Sequence, residues 1–189
     1  MSVAPERATR LLLSERASGE GVDKLRDVCR AHHVREELAD KALARISGKQ
    51  NCYAAVVFEK WQAELRADRP HIVLHHPMDE GNLGTIQRTM LGLGFKDIAV
   101  IRPAADPFDP KVVRATMGAI FSLHLKQYDD FESYRAEFPT HALYPFMLDS
   151  SKLLEDATAH VQTPYALVFG NEGSGLPPEF ASYGQAVRI

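Results

Sequence analysis

The sequence is poor in cysteine and has no long apolar run. Its 189 residues include two cysteines, Cys29 and Cys52, which are too few to form a disulfide framework or, by themselves, a zinc site. No stretch approaches the roughly 20 apolar residues that a membrane-spanning helix needs, and the N-terminus has no cleavable signal pattern. We therefore expect a cytoplasmic protein with reduced cysteines and with neither a membrane partner nor a resident metal.

Basic residues are not in excess either. The formal net charge is −3, from 22 Lys and Arg and 25 Asp and Glu, which argues against a histone-like binder of nucleic acid. The average hides a division, because residues 1–66 carry +2 and residues 67–189 carry −5. Charge alone favours an ordinary solvated surface, so any polyanionic partner must meet a local patch.

The first third of the chain has the apolar spacing of helices. Within residues 1–66 apolar side chains recur among charges at three- and four-residue intervals, which predicts three or four short helices. The segment 53–58 is also compatible with a strand, but Phe58, Trp61 and Leu65 share one helical face, which favours a helix. We expect a small helical N-terminal region with a domain boundary at the end of that range.

From Pro70 onward, short apolar runs alternate with helical stretches, which predicts an α/β domain over residues 67–189: a mostly parallel sheet with helices on both faces. Helix caps support this pattern, because Asn82, Asp109 and Asp130 each stand at the start of a helical stretch. The expected strands are HIVLH (71–75), DIAVI (97–101), FSLHL (121–125), HALYPFML (141–148), YALVFG (165–170) and AVRI (186–189).

The loop after the first of these strands is one candidate site, because ligands of an open parallel sheet bind beyond the carboxyl ends of its strands. The loop leads into GNLGTIQRT, where Asn82 and Arg88 stand six residues apart. If the helix begins at about Leu83, Arg88 lies one to two turns into it, and its side chain can reach back over the strand ends. There it would grip a phosphate or help to deprotonate a hydroxyl, although most helical arginines are simple surface residues.

The loop after YALVFG is rich in glycine. Gly170, Gly173 and Gly175 alternate with Asn171 and Glu172, a density that lets backbone N–H groups approach a ligand. The loop lacks the Lys-Ser/Thr of an ATPase phosphate loop and the GxGxxG of a dinucleotide turn. A nucleoside-type ligand held by backbone groups fits this loop, and a turn that only reverses the chain is the alternative.

Adjacent histidines do not indicate a metal site. His75 and His76 lie at the end of a predicted strand, where neighbouring side chains point to opposite faces. His32 and His33 are a second pair, in the predicted helical region. We expect both pairs to be structural or exposed rather than chelating.

Three segments in order resemble a known family. GNLGTIQRT after a strand, RATMGAIF roughly thirty residues later and LVFGNEGSGL near the end are similar to the SpoU (TrmH-like) 2′-O-ribose RNA methyltransferases of the SPOUT superfamily. The resemblance covers roughly residues 70 to 189. It implies an α/β-knot fold, S-adenosylmethionine bound in a trefoil knot, a homodimer, and methyl transfer to a ribose 2′-hydroxyl of tRNA or rRNA.

The resemblance also implies roles for single residues. Arg88 would activate the ribose hydroxyl and contact RNA, and Asn82 would support the catalytic centre. Glu172 would order the glycine loop or orient Arg88. The other implied positions are cofactor contacts at Gly170, Asn171, Gly173, Leu176, Ile189 and, more weakly, Met147, and a contact of Arg114 with RNA phosphate or a neighbouring subunit.

The end of the chain departs from the family pattern. Members of the family continue past the AVRI strand with a proline and a Ser-Leu-Asn segment that completes the knot, whereas the given sequence stops at Ile189. We expect that segment to be missing from the given chain rather than from the protein. Residues 1–66 resemble, more weakly, the small RNA-binding domain of many members.

A non-catalytic RNA-binding relative with the same fold is the alternative function. Such a relative would keep the fold without needing the residues of the reaction. The presence of Asn82, Arg88 and Glu172 together favours the enzyme.

Overall fold

The structure is a computed structural model, and it divides the chain into two compact units, Met1–Trp61 and Gln62–Ile189. The division falls five residues before the boundary expected after residue 66, because Ala63 N–H donates to Leu125 O (3.0 Å) in the second unit. The described residues are 4–47, 51–150, 152–158 and 161–188.

The first unit is a mixed α/β structure, so the prediction of an all-helical region over residues 1–66 is wrong. Three strands form one sheet in the order β2-β1-β3, with β1 parallel to β2 and antiparallel to β3. The elements are β1 (Ala8–Leu13), α1 (Glu20–Ala31), β2 (Arg35–Leu38), α2 (Asp40–Ser47) and β3 (Ala54–Phe58).

Short apolar runs explain the error. Strand β1 ends in three buried leucines, of which Leu11 and Leu13 pack with Cys29 in the core of the unit. Strand β3 contains two adjacent valines, whose branched side chains favour extended backbone. Phe58 and Trp61 do meet, with ring centroids 6.0 Å apart, but Trp61 lies in the loop after β3 and not on a helix.

The second unit contains the predicted parallel sheet. Its strands are β4 (His71–His75), β5 (Asp97–Ile101), β6 (His124–Tyr128), β7 (Ala142–Pro145) and β8 (Tyr165–Phe169). Its helices are α3 (Glu80–Gly92), α4 (Pro110–Ala115), α5 (Phe131–Glu137) and α6 (Leu154–Thr158). All neighbouring strands are parallel, in the order β6-β5-β4-β8-β7.

The centre of this sheet is buried on both faces, as expected for parallel strands flanked by helices. On one face Val73 and Val168 join a cluster that includes Phe131 and Tyr134 of α5. Ile72 points to the opposite face and is equally buried, because successive side chains of a strand alternate. Strands β4 and β5 have the predicted bounds. Their apolar runs are continuous because side chains on both faces of the strand are buried.

Strand β6 begins three residues later than expected. Gly118 has a φ of 90°, and the residues after it, Ala119–Ser122, form a 3-10 helix. Ala119 and Ile120 of that turn are buried and Phe121 is half-buried, so the turn has the apolar sequence of a strand. The predicted strand 121–125 thus combines the end of this turn with the start of β6.

The expected C-terminal strand is reduced to isolated bridges, and Ile189 lies outside the described residues. Val187 pairs with Phe146 and Arg188 pairs with Leu153. Residues 187–188 therefore pair with the chain just after β7 on one side and with the chain just before α6 on the other. The segment passes between these two stretches. The trefoil knot itself stays a prediction.

The cysteines and helices can be compared with the expectations from composition. Cys29 is buried and Cys52 is half-buried, and both are unpaired. Among the described residues, no helix combines the length and the apolar character that crossing a bilayer requires.

Candidate functional site

The strand order places the two candidate loops side by side. Strand β8 pairs with β4, although about ninety residues separate them in the chain. The chain runs from β4 outward through β5 to β6 and returns on the other side of β4, which makes the β4/β8 boundary the topological switch point of the sheet. The loops after both strands therefore leave the same carboxyl edge side by side.

The glycine loop is pinched so tightly that its first glycine cannot carry a side chain. A Cβ atom on Gly170 would lie 2.2 Å from the carbonyl carbon of Gly175. Asn171 and Gly175 exchange two backbone hydrogen bonds, of 3.2 and 2.9 Å, across the loop. Gly175 has a φ of 69°, which a glycine adopts without strain.

Asn171 holds the interior of this loop. Its Oδ1 accepts hydrogen bonds from the N–H groups of Gly173 (2.9 Å) and Ser174 (3.1 Å), and its Nδ2 donates to the carbonyl oxygen of His76 (2.9 Å). These N–H groups are therefore used within the loop, which corrects the expectation that they are offered to a ligand.

Glu172 joins the glycine loop to the loop after β4. Its carboxylate oxygens accept hydrogen bonds from the N–H groups of Met78 and Asp79, each at 3.3 Å. These contacts match the first of the two roles expected for Glu172, the ordering of a loop. Among the described residues no ion pair joins Glu172 to Arg88.

Helix α3 begins earlier than expected, because Asp79 and not Asn82 is its cap. The Asp79 carboxylate accepts from the N–H of Asn82 at 2.7 Å, so Asn82 lies inside the first turn, with its side chain exposed. The sequence contained this signal, since aspartate is a preferred cap residue at the start of a helix. The glycines on both sides of Asn82 suggested instead that the turn extended to Asn82.

Arg88 consequently lies further from the loops than expected. It is the ninth residue after Asp79, which places it about 13 Å further along the helix axis at roughly 1.5 Å per residue. Its side chain is exposed, and no described residue forms a hydrogen bond or ion pair with it. Arg88 therefore lies just over two turns into α3 and not one to two turns as expected, and its reach over the strand ends stays a prediction.

Helix α4 packs beside α3, and a glycine makes this possible. A Cβ atom on Gly84 would lie 2.5 Å from Cβ of Ala115 and 2.6 Å from the carbonyl oxygen of Val112. At the start of the two helices, Lys111 and Glu80 form an ion pair of 2.9 Å. The helices therefore run in the same direction, side by side.

This packing brings the segment RATMGA to the neighbourhood of Arg88. Arg88 follows Gly84 by one helical turn and is on nearly the same side of α3, the side that faces α4. Arg114 is the residue before Ala115, and its side chain is exposed. The two arginines expected to bind RNA thus border one surface.

The paired histidines at the end of β4 do not diverge as expected. The backbone of His76 turns sharply, with a φ of 57°, and the rings of His75 and His76 stack with centroids 3.7 Å apart. Burial, and then the neighbouring His76, lowers the pKa of His75 to about 4, so His75 is neutral at pH 7. Within the described parts of the chain, no group of three or more His, Cys, Asp or Glu side chains has metal-binding geometry.

Two apolar residues expected to contact a cofactor lie at the same edge. Leu176 follows the glycine loop and is buried in the core cluster of the second unit. Met147 follows β7, is partly exposed and packs against the same cluster. Because the Leu176 side chain is buried in the core, Met147 offers more exposed apolar surface to a ligand. The remaining predicted contact, Ile189, lies outside the described residues.

Comparison with known proteins gives consistent matches. The SpoU rRNA Methylase family matches residues 69–189. An uncharacterized tRNA/rRNA methyltransferase of Synechocystis is 29% identical over 143 residues, which is 74% of this chain and 52% of that protein. Mouse mitochondrial rRNA methyltransferase 3 is 29% identical over 129 residues, 62% of this chain and 29% of that protein.

Solved structures resemble the whole chain in fold. The AdoMet-bound rRNA methyltransferase of Sinorhizobium meliloti has a TM-score of 0.81 at 22% identity, over all of this chain and 74% of that one. The SpoU methyltransferase AviRb of Streptomyces viridochromogenes, also in complex with AdoMet, has a TM-score of 0.79 at 24% identity, over all of this chain and 76% of that one. The chain spans about half the length of the cyanobacterial relative. Because the family match runs from just before β4 to the last residue, the chain belongs to the SpoU rRNA methylase family.

Proposed function

We propose that this chain transfers a methyl group from S-adenosylmethionine to a ribose 2′-hydroxyl of tRNA or rRNA. The observation that carries the proposal is the Glu172 junction, which holds the glycine loop against the start of α3 at the switch point of the sheet. The choice of the 2′-oxygen is supported by a Streptomyces viridochromogenes protein named 23S rRNA (uridine(2479)-2′-O)-methyltransferase. It is 39% identical over 59 residues, 31% of this chain and 21% of that protein.

The loop chemistry suits a nucleoside with a cationic group better than a phosphate. The N–H groups of Gly173 and Ser174 are already bonded to Asn171, so the loop offers no ring of donors to an anion. The Glu172 carboxylate is exposed at the same edge. The glycine loop and Met147 would hold S-adenosylmethionine, whose sulfonium supplies an already activated methyl group. Positioning is therefore the main task of the protein.

Arg88 would act on the RNA side of the reaction. A guanidinium keeps its proton in proteins, so it assists by charge: it stabilises the negative charge that develops on the 2′-oxygen as the hydroxyl proton leaves. A contact to the adjacent phosphate would hold the ribose in place. Asn82 is exposed in the first turn of the same helix and would support the ribose from the loop side.

The distance along α3 favours a homodimeric enzyme. About 13 Å of helix separate Arg88 from the Asp79 cap that touches the glycine loop, and from this distance we infer that the two groups of one protomer serve different crevices. In a homodimer, Arg88 of one protomer would face the crevice of its partner. RNA bound across both protomers would then meet both groups.

The activity is tested with the full-length protein. Calorimetry should detect S-adenosylmethionine binding, and labelled methyl groups should enter tRNA or rRNA at 2′-oxygens. Arg88→Ala should lower methyl transfer by about 100- to 1,000-fold, the usual effect of removing one group that stabilises an oxyanion, without changing cofactor affinity. Arg69→Ala, an exposed arginine at the opposite edge of the sheet, is the control. RNA binding without cofactor binding would instead identify a non-catalytic relative.

The homodimer is tested by mixing two inactive variants. Arg88→Ala keeps its crevice and Gly170→Val keeps its arginine, so a mixed dimer regains one complete site if Arg88 serves the partner. Recovery of activity on mixing supports this arrangement. If both variants stay inactive in a mixture that sedimentation shows to contain mixed dimers, each site is built within one protomer.

A further inference from the structure

A methionine stands exposed in a strained turn at the end of α4. Met117 has a φ of 51°, the left-handed region that non-glycine residues rarely occupy, and its side chain is 75% exposed. Neither property contributes to folding, because a glycine would adopt this backbone without strain and a polar residue would suit the solvent. A large apolar side chain held in this way indicates a contact outside the chain.

Hydrogen bonds of the buried Thr116 side chain fix the turn that carries Met117. The buried hydroxyl of Thr116 donates a hydrogen bond to the carbonyl oxygen of Val113 (2.7 Å) and accepts one from the N–H of Gly118 (3.2 Å). Gly118 follows with a φ of 90°, which lets the chain continue into the 3-10 helix. The position of Met117 is therefore determined by the fold rather than by solvent.

Unpaired positive charge flanks this methionine. Arg114 lies three residues before Met117, and both side chains are exposed. Arg88 lies about 6 Å along α3 from Gly84, which touches Ala115, two residues before Met117. Within residues 4–47, 51–150, 152–158 and 161–188, neither guanidinium group has an ion-pair or hydrogen-bond partner. We name Arg88, Arg114 and Met117 together the α3–α4 surface.

The charge of the α3–α4 surface selects its partner. Lys111, the other basic residue of α4, is paired with Glu80, so this carboxylate is already engaged by a lysine. Two free guanidinium groups beside an apolar side chain match a phosphate backbone with an unstacked base between phosphates. The soft thioether of methionine packs well against such a ring and is among the side chains that proteins insert between bases.

We propose that Met117 is a substrate-positioning residue that packs against an unstacked base of the RNA strand whose phosphates are bound by Arg88 and Arg114. The inference rests on the proposed function, since it places the RNA of that reaction on the α3–α4 surface. It adds a contact that is specific for a splayed nucleotide. Duplex RNA, whose bases are stacked, would gain little from it.

The first test measures RNA binding without the cofactor. Met117→Ser should weaken binding of a fluorescently labelled single-stranded RNA by about tenfold, the effect of losing the burial of one large apolar side chain. The dependence of affinity on salt should not change, because no phosphate contact is lost. Leu93→Ser is the matched control, since Leu93 is 73% exposed and lies at the far end of α3.

Two further variants separate contact from folding. Met117→Gly should raise Tm, because glycine tolerates the left-handed backbone, and should still weaken RNA binding. If Met117 had only a structural role, Met117→Gly would not both stabilise the protein and lower its affinity for RNA. Arg114→Ala should reduce the slope of log affinity against log salt by about 0.7, the loss of one phosphate contact on a single strand.

Several outcomes would overturn the proposal. RNA affinity equal to wild type in both Met117 variants removes the methionine from the RNA site. If sedimentation instead shows that these variants weaken self-association while RNA affinity is unchanged, the surface binds a second copy of the chain. Failure of the proposed function can be distinguished from failure of this inference. If the wild-type protein binds RNA without methylating it, the RNA affinities of wild type and the Met117 variants can still be compared.

Discussion

The two edges of the parallel sheet treat polar groups in opposite ways. At the amino edge, the fully buried carboxylate of Asp97 accepts four hydrogen bonds from the backbone and side chain of Arg66 and a ring contact from His124 (3.0 Å). His71 is also fully buried: its Nε2 donates to the carbonyl oxygen of Arg66 and its Nδ1 accepts from the Tyr134 hydroxyl, each at 3.0 Å. Each polar atom of the Asp97 carboxylate and of the His71 ring thus has a partner within the chain.

At the carboxyl edge, the backbone is held and the side chains are left exposed. Asn171 and Glu172 tie the two loops together, and the backbone of His76 is forced into the left-handed region. Glu172 is nevertheless exposed, as are Asn82 and the arginines of the α3–α4 surface. The difference shows that the amino edge is organised for stability and the carboxyl edge for contact with other molecules.

The largest effect expected from this contrast is a loss of ligand binding without loss of the fold. Gly170→Ala places a methyl group 2.2 Å from Gly175, so the loop must open. We expect the affinity for S-adenosylmethionine, measured by calorimetry, to fall by about 100-fold, since the loop would carry the cofactor contacts.

A second glycine provides the control for this experiment. Gly92 ends α3 with open space around its Cα, so Gly92→Ala should stabilise the protein by about 0.5–1 kcal/mol and leave ligand affinity unchanged. If Gly170→Ala binds the cofactor as wild type does, the glycine loop is only a chain reversal. That outcome would also remove the contrast between the two edges.

The amino edge should give the opposite result. Asp97→Asn leaves Arg66 and His124 without their shared carboxylate, and we expect a loss of about 2–3 kcal/mol in the free energy of unfolding. This value lies at or below the lower end of the usual range of about 3–5 kcal/mol because the Arg66 side chain is 39% exposed. Cofactor affinity should not change. Asp68→Asn, in an exposed pair with Arg69, should cost less than about 0.5 kcal/mol in the same denaturant titration.

The Asp97 carboxylate also makes this prediction sensitive to pH. Burial alone would raise its pKa, but the hydrogen bonds from Arg66 and His124 outweigh burial and hold the pKa below its usual value. The stabilisation is therefore present above the pKa of an unfolded aspartate and is lost as pH falls through the lower folded value. A variant whose stability loss is as large in strong acid as at pH 7 would contradict this account.

The sequence predicted the sheet of the second unit because its strands are short, fully apolar and separated by capped helices. The glycine loop and the loop after β4 were also found, since both follow such strands. The position of Arg88 was missed because it depended on which residue capped α3, and the choice of Asn82 over Asp79 shifted the helix start by three residues.

Other features needed long-range information that the chain does not display locally. The Glu172 junction joins residues more than ninety positions apart, and no local pattern encodes it. In the first unit, the three leucines of β1 and the short β3 are too brief to distinguish a strand from one face of a helix. Tertiary pairing decides both cases.

Apart from the control variants, the smallest predicted effect involves the histidines at the two ends of β4, one at each edge. Burial lowers the pKa of His71 and of His75 to about 4, whereas the pKa of an unfolded histidine is about 6.5. The unfolded chain therefore binds more protons between these values, so the stability from each neutral ring is complete above pH 6.5 and falls as pH drops toward 4.

From pH 7 to pH 5.5 each histidine should cost about 1 kcal/mol in the free energy of unfolding. His71→Gln and His75→Gln should each remove that share of the pH dependence, whatever they cost at pH 7, and denaturant titrations at the two pH values measure it. An unchanged slope for His75→Gln alone would mean that its ring is solvated in the folded protein. The carboxyl edge would then be more open than its packing against Phe180 indicates, and the contrast between the edges would be sharper.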